Sequence, residues 1–321
     1  MKSIDQGWHA PAIPPNSGVF IRIFRRGLLL LAALAITALH SGCALEKPES
    51  ARHAEHGSTP APGGAAAIEG VDMVAVEGGT MVAMTDTGPL EGGVAPRPSD
   101  LGPLEPSDFL LGRHEVTWRE WLAVRDWAAA SGYDIADTGD GCAPDHPVHS
   151  VSWYDAVKWC NALSEMSGLT PVYRIDGDVY RGGQHVPDWD RAANGFRLPT
   201  EEEWEYAARG GAHAEHTLYA GSNDANAVGW HYGNSQGADC GLWSVRGTWA
   251  VGLKEPNELG IHDMTGNVWE WCWDTKRDRR RLRGGSWNDG PGGVLIAFQI
   301  QYPPEREWNF FGLRLARNAE K

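Results

Sequence analysis

Residues 260–271 read G-I-H-D-M-T-G-N-V-W-E-W. This short stretch combines a turn (Thr265, Gly266, Asn267), an interior carboxylate (Glu270) and two tryptophans, Trp269 and Trp271. Glycine supplies backbone freedom where φ must be positive or a side chain would clash. Aspartate and asparagine hydrogen-bond their own turns or offer oxygen to a hard cation. Each tryptophan buries a large surface and needs a partner for its indole N–H. The stretch has neither helical nor alternating periodicity, so an ordered, irregular core loop is expected.

Around it lies a chain of 321 residues, enough for one large domain or two modest ones. Its 16 Trp outnumber 7 Phe and 8 Tyr, and 40 Gly accompany them. That mix suits a loop-rich fold held by amphipathic anchors. The formal net charge of −14 argues against a nucleic-acid partner, because phosphate binding requires a basic face.

The N-terminus reads as an export signal. Arg22, Arg25 and Arg26 precede an apolar run, residues 27–39, that ends in small residues and Cys43. The run is too short for a bilayer core of ~30 Å but suits a signal-peptide core. Arg25-Arg26 resembles a twin-arginine signal. Ser41-Gly42-Cys43 resembles the cleavage box of bacterial lipoproteins, in which the cysteine is lipidated; an ordinary cleaved signal with an incidental cysteine is the alternative. Residues 44–70, rich in Ala, Pro, Gly, His and Glu, bury too little to offset ordering and read as a flexible tether. The division is thus a signal with its lipidation cysteine at 1–43, a tether at 44–70 and a folded domain at 71–321. The expected location is periplasmic or cell-surface, with the lipid on Cys43 holding the protein to the membrane.

Within the domain, residues 71–84 alternate as strands do, and Phe109-Leu110-Leu111 reads as another. Thr117 with Glu120, and Thr200 with Glu203, are capping boxes that start helices running to near Gly132 and to Gly210. A further helix starts at Ser152 and stops at Gly168, burying Trp153, Ala156, Val157, Cys160 and Leu163. Residues 172–181 read as a hairpin around Asp176, Gly177 and Asp178. The run of Lys276, Arg277, Arg279, Arg280 and Arg281 is expected to be a solvated basic loop. Of the five cysteines, Cys160 is expected to be buried and inert, and a Cys142–Cys240 bridge is one of the pairings open. His146 and His149 read as structural.

Several blocks occur in order: 112–117, 147–160, the run R-L-P-T-E-E-E-W-E-Y at 197–206, residues 260–271, R-G-G-S-W at 283–287, and Gly312-Leu313-Arg314. Together they resemble the formylglycine-generating-enzyme (sulfatase-modifying factor) family over nearly the whole folded region. The resemblance implies one irregular α+β domain, a variant of the C-type-lectin fold with low regular content and a few short helices. It also implies chemistry. Catalytic members oxidise a sulfatase cysteine with copper and oxygen, using two cysteines spaced C-x4-C after the R-G-G-S-aromatic block. Those positions here are Asp289 and Val294. Cu(I) requires soft thiolates, so copper and formylglycine generation are not expected.

Two other relatives frame the alternatives. Siderophore-maturing members would make this chain an oxygen-dependent enzyme using other residues. Binding members, including the ligand-binding proteins of diversity-generating retroelements, vary residues between R-G-G-S-W and a G-[FL]-R-L-A-R ending. This chain has both borders, so a ligand- or protein-binding surface is expected from Trp269, Ser286, Trp287, Asp289, Tyr302 and Trp308. The family also holds structural calcium. The matching positions are Asp263 and Glu270 through carboxylates and Gly266 and Val268 through carbonyls, with a second site mapped to Asn226. The competing reading pairs Glu270 with an arginine such as Arg283.

Overall fold

Each of the three longer helices begins where a hydroxyl and a carboxylate stand three residues apart. In α1 (Trp118–Ala130), Thr117 Oγ1 accepts from the Glu120 N–H at 3.2 Å while Glu120 accepts from the Thr117 N–H at 2.7 Å. Ser152 and the shorter acid Asp155 make the same reciprocal pair, both at 3.1 Å, at the start of α2 (Trp153–Met166). Thr200 and Glu203 do so for α3 (Glu201–Ala208). Orphan N–H groups of the first turn are thereby satisfied locally. These helices start where the sequence says they should.

The computed structural model describes residues 71–82, 101–215, 217–237 and 245–319. The export signal, Cys43, the tether and Cys240 lie outside the described residues. Three small sheets hold the helices together. In the first, β1 (Met73–Val76), β2 (Phe109–Gly112), β11 (Ala316–Asn318) and β6 (Phe196–Arg197) run in that spatial order, with Val76 opposite Phe109 and Ala316 opposite both Leu111 and Arg197. The two ends of the folded region therefore share one sheet. The second sheet is ordered β10 (Phe311–Gly312), β7 (Trp269–Lys276), β8 (Arg279–Arg283) and β9 (Gln299–Tyr302), with β10 parallel to β7. The third joins β4 (Asp178–Val179), β3 (Tyr173–Ile175) and β5 (Asp188–Trp189). Its hairpin turns at Asp176 and Gly177, both at positive φ (52° and 88°), as a two-residue turn with matching twist requires. One short helix, α4 (Ala225–Val228), interrupts the irregular stretch between α3 and β7.

Two expectations need correction here. Residues 260–268 are irregular, but Trp269 opens β7, the longest strand described. The basic run is solvated only in part: it forms the β7–β8 hairpin, turning at Arg277 and Asp278 with φ of 54° and 62°, and Lys276, Arg277 and Arg279 are exposed there. Arg280 and Arg281 are buried, and Arg283 at the end of β8 is fully so. Arg280 lies 3.8 Å over the Trp153 ring. Arg281 and Arg283 reach Glu201 at 3.3 and 3.0 Å, and Arg283 also reaches Glu205 at 2.6 Å. The acidic face of α3 neutralises the strand.

Tryptophan supplies the largest fully buried side chains of the core. Trp121 and Trp159 stack in parallel at 5.4 Å between α1 and α2. Their N–H groups donate to the Thr138 and Trp121 carbonyls. Trp153 donates to the Cys272 carbonyl and Trp271 to that of Val151, at 3.0 Å each, tying α2 to β7. Burying an indole with its N–H satisfied gives area without a desolvation penalty. Cys160 and Cys272 are buried free thiols, and burial raises the thiol pKa of both. Cys160 is buried, as its helical position suggests.

Candidate functional site

Beneath residues 260–271 lies a knot of ionisable groups cut off from water. Glu270, Glu115 and Arg314 are fully buried and Asp263 nearly so. Arg314 forks onto Glu270 through Nε (3.1 and 3.0 Å) and Nη2 (2.7 Å), and the Trp204 indole N–H donates to the same carboxylate at 2.6 Å. Glu270 is thus paired with Arg314, not Arg283, whose acids are Glu201 and Glu205. Glu115 accepts from the Asn267 amide at 2.7 Å and from the Val268 N–H at 3.0 Å. Burial, and then the charges of Asp263 and Glu270, push the Glu115 pKa well up. Asp263 Oδ2 accepts from the Gly252 N–H at 2.6 Å, whereas its buried Oδ1 has no partner. Burial raises its pKa too. One arginine among three carboxylates leaves this knot short of positive charge. Asn226 stands apart, with its side-chain oxygen 3.1 Å from His231 and its carbonyl 2.6 Å from Lys254 Nζ.

The R-G-G-S-W block leads out of this knot. Gly284 and Gly285 carry φ of 94° and 77°, and a Cβ on Gly285 would sit 2.5 Å from Val294. Glycine is required at that close approach. Ser286, fully buried, hydrogen-bonds Asp289, and the Trp269 indole donates to the same oxygen at 2.9 Å. Burial raises the Asp289 pKa, against these two donors, which lower it. Val294 is fully buried in an apolar cluster with Tyr219, Ala225, Val228 and Leu295. Of the two positions at which the family resemblance implies thiolates, one is a tethered carboxyl and the other is hydrocarbon.

The other expected surface residues connect to this cluster. The Trp269 backbone N–H donates to the Phe310 carbonyl at 2.8 Å. From Phe310, ring contacts of 5.2 to 5.4 Å run to Trp308 on one side and through Phe311 to Tyr302 on the other. Trp308 is 40% exposed, and Trp287 donates its N–H to the Asn309 carbonyl at 3.2 Å. The structure brings all six expected residues into one region: Trp269, Ser286 and Asp289 as its support, Tyr302 against Phe311, and Trp308 and Trp287 nearer the surface.

A cleft of about 200 Å³ opens beside Trp287 and Asn309, lined also by Asp140, Cys142, His149, Arg246 and Thr248. The sequence gives His149 a structural part and Cys142 only a possible bridge. The residues come from four separate segments, and no spacing in the sequence joins them. Burial lowers the His149 pKa, partly offset by the charge of Asp140, so its ring is neutral at pH 7.

Comparison with known proteins agrees with this architecture. Residues 59–319 match the Sulfatase-modifying factor enzyme 1-like domain. The chain is 33% identical over 242 residues to "Chaperone protein LppX" of Paenibacillus barcinonensis, covering 66% of this chain and 81% of that protein. It is 38% identical over 183 residues to "Inactive C-alpha-formylglycine-generating enzyme 2" of Mus musculus, covering 54% of this chain and 49% of the mouse protein. The crystal structure of CarF superposes with a TM-score of 0.64 at 29% identity, covering 78% of this chain and 99% of CarF. The irregular α+β fold and the match across the domain make this chain a member of the formylglycine-generating-enzyme, or sulfatase-modifying-factor, family.

Proposed function

We propose that this protein is an exported, non-oxidising member of its family that binds a protein partner through the face carrying Trp287 and Trp308. The observation that carries the reading is the pair Asp289 and Val294. A carboxyl held by Ser286 and Trp269, beside a buried valine, offers copper no soft ligand. The exposed Trp308 stands at the end of an aromatic row, the residue type that anchors protein interfaces. A relative named as a chaperone, matched over most of its length, supports a protein rather than a small metabolite as ligand. The arginine-flanked signal and Cys43 support export and membrane anchoring.

Two measurements test this. A cysteine peptide from a sulfatase, incubated with copper and oxygen, is expected to give no aldehyde; aldehyde formation would overturn the reading. The protein should also raise the refolding yield of a chemically unfolded secreted enzyme. Trp308→Ala should weaken that effect on the order of tenfold, as the loss of an aromatic anchor does. An undiminished effect would remove the assigned face.

Calcium belongs to the same proposal. Asp263 fits a hard cation, because its buried Oδ1 lacks any partner, and the carbonyls of Gly266 and Val268 are the further donors. Glu270 is engaged by Arg314 and Trp204, so the ion would rest chiefly on Asp263. A chelator should lower the melting temperature, with added calcium restoring it. An unchanged melt would dispose of the calcium.

A further inference from the structure

We infer that the β7–β8 hairpin tip of one copy of this chain docks in a cleft beside α3 of a second copy, forming a charge-matched dimer. The tip carries Lys276, Arg277 and Arg279 against the single acid Asp278, and all four are exposed. Among the described residues, neither Arg277 nor Arg279 has a carboxylate partner. The turn departs from what folding alone favours. Two-residue hairpin turns prefer Asn-Gly or Asp-Gly, whereas here Arg277 and Asp278 hold φ of 54° and 62°. A long side chain rarely adopts that conformation, and strain kept at a tip points to a use for its charges. The chain as a whole carries a net charge of −14, so its own surface is rich in the opposite sign.

The cleft complements the tip. Its volume is about 530 Å³, within the ~300–1,000 Å³ of sites that enclose a drug-sized ligand, so a two-residue turn and its side chains fit. Arg197 and Glu203 neutralise each other there through two bonds of 2.7 Å. What remains is Glu105, Asp108 and Glu202 against one base, Arg191. Glu202 accepts the Glu105 N–H at 2.6 Å and Asp108 the Gly78 N–H at 2.8 Å, but among the described residues no cation pairs with any of the three. Arg191 lies 3.6 Å over the Trp189 ring and has no carboxylate partner among the described residues. Three bases and one acid thus match three acids and one base. Tip and cleft flank the same turn of α3. In the hairpin stem, the Trp273 N–H donates to the Pro199 carbonyl at 2.9 Å and Asp274 accepts the Glu201 N–H at 2.5 Å, while Thr200 and Glu202 line the cleft. With both patches at one end of the molecule, two copies can exchange them about a twofold axis, which closes the assembly at two. Single exposed ion pairs contribute little, but several in one network contribute together. None of these residues belongs to the binding surface proposed above, so the inference stands or falls apart from it.

The test measures self-association by sedimentation velocity, on the full chain carrying Cys43→Ser so that no lipid drives it. A dimer is expected at low salt. It should weaken about tenfold or more as ionic strength approaches ~1 M, where the screening length falls to about 3 Å. Arg277→Glu exchanges a charge at the tip and Glu105→Lys exchanges one in the cleft, each at an exposed side chain. Either alone should weaken the dimer about tenfold or more, the scale of placing like charges together at an interface. Mixed in equal amounts, the two variants should associate again. One contact of the mixed pair is then wild-type, and the other brings the two exchanged charges together. Should Arg277→Glu disturb the turn, Arg279→Glu makes the same exchange in the strand beside it. Three results would overturn the inference: a monomer at low salt, a dimer that neither exchange weakens, or a mixture as weak as the single variants. The last would mean that tip and cleft serve other partners and not each other.

Discussion

Arg314→Ala should destabilise the domain by about 3–5 kcal/mol, the cost of stripping the counter-charge from a buried carboxylate. Glu270 would keep only the Trp204 N–H, with Glu115 and Asp263 still charged or forced to protonate nearby. The same guanidinium also donates to the Gly112 and His262 carbonyls, each at 2.9 Å. Those two acceptors on separate segments would be orphaned as well. Against a total stability on the order of 5–15 kcal/mol, such a loss shifts a denaturant midpoint severely or abolishes soluble expression. Arg314→Lys should fall in between, since an ammonium restores charge but not the fork. Arg314→Met combined with Glu270→Leu should recover much of the deficit, because the pair as a unit adds little over hydrocarbon of similar volume. A loss below about 1 kcal/mol for Arg314→Ala would show that the knot is already protonated or hydrated.

Trp121→Ala should cost a similar amount, about 3–5 kcal/mol, for a different reason. Trp121 has no exposure, stacks on Trp159 and donates to Thr138 across the α1–α2 contact. Truncation leaves a cavity the size of an indole and an unsatisfied carbonyl. Backbone collapse cannot fill it readily, since Gly139 already approaches so closely that a Cβ there would lie 2.6 Å from the indole nitrogen. Trp121→Phe should cost less, keeping most of the area while losing the N–H. Urea unfolding of both variants separates packing from hydrogen bonding. Equal losses would mean that the bond to Thr138, not the volume, dominates.

The contrast between these two sites explains what the chain discloses about itself. The helix starts at Thr117, Ser152 and Thr200 were legible because their chemistry closes within three residues. The Asp176-Gly177 turn was legible for the same reason. The basic run from Lys276 misled because its neutralising acids are far along the chain: Arg283 and Glu205 are separated by 78 positions. Local charge reads as solvated until the partner is known. For Glu270 the sequence offers an arginine such as Arg283 as partner, and only the three-dimensional arrangement shows that the arginine is Arg314. The replacement of the thiolate pair at Asp289 and Val294 needed only alignment to the family's blocks. The cleft around Cys142 and His149 was invisible, since the sequence holds no spacing that links it to Trp287 and Arg246.

The two buried arginines also bracket a segment. Arg283 locks onto α3 as the first residue of the R-G-G-S-W block, and Arg314 locks onto Glu270 just after β10. Between these clamps, Val294, Leu295 and Ile296 are buried, whereas residues 299–303 and 305–309 are partly or fully exposed. Such an arrangement separates heritable stability from heritable specificity. Exposed positions there can drift, or be randomised in a library, while the clamps keep the segment's ends in register. The domain is therefore a ready display scaffold, on which new recognition can be selected without reinventing the fold.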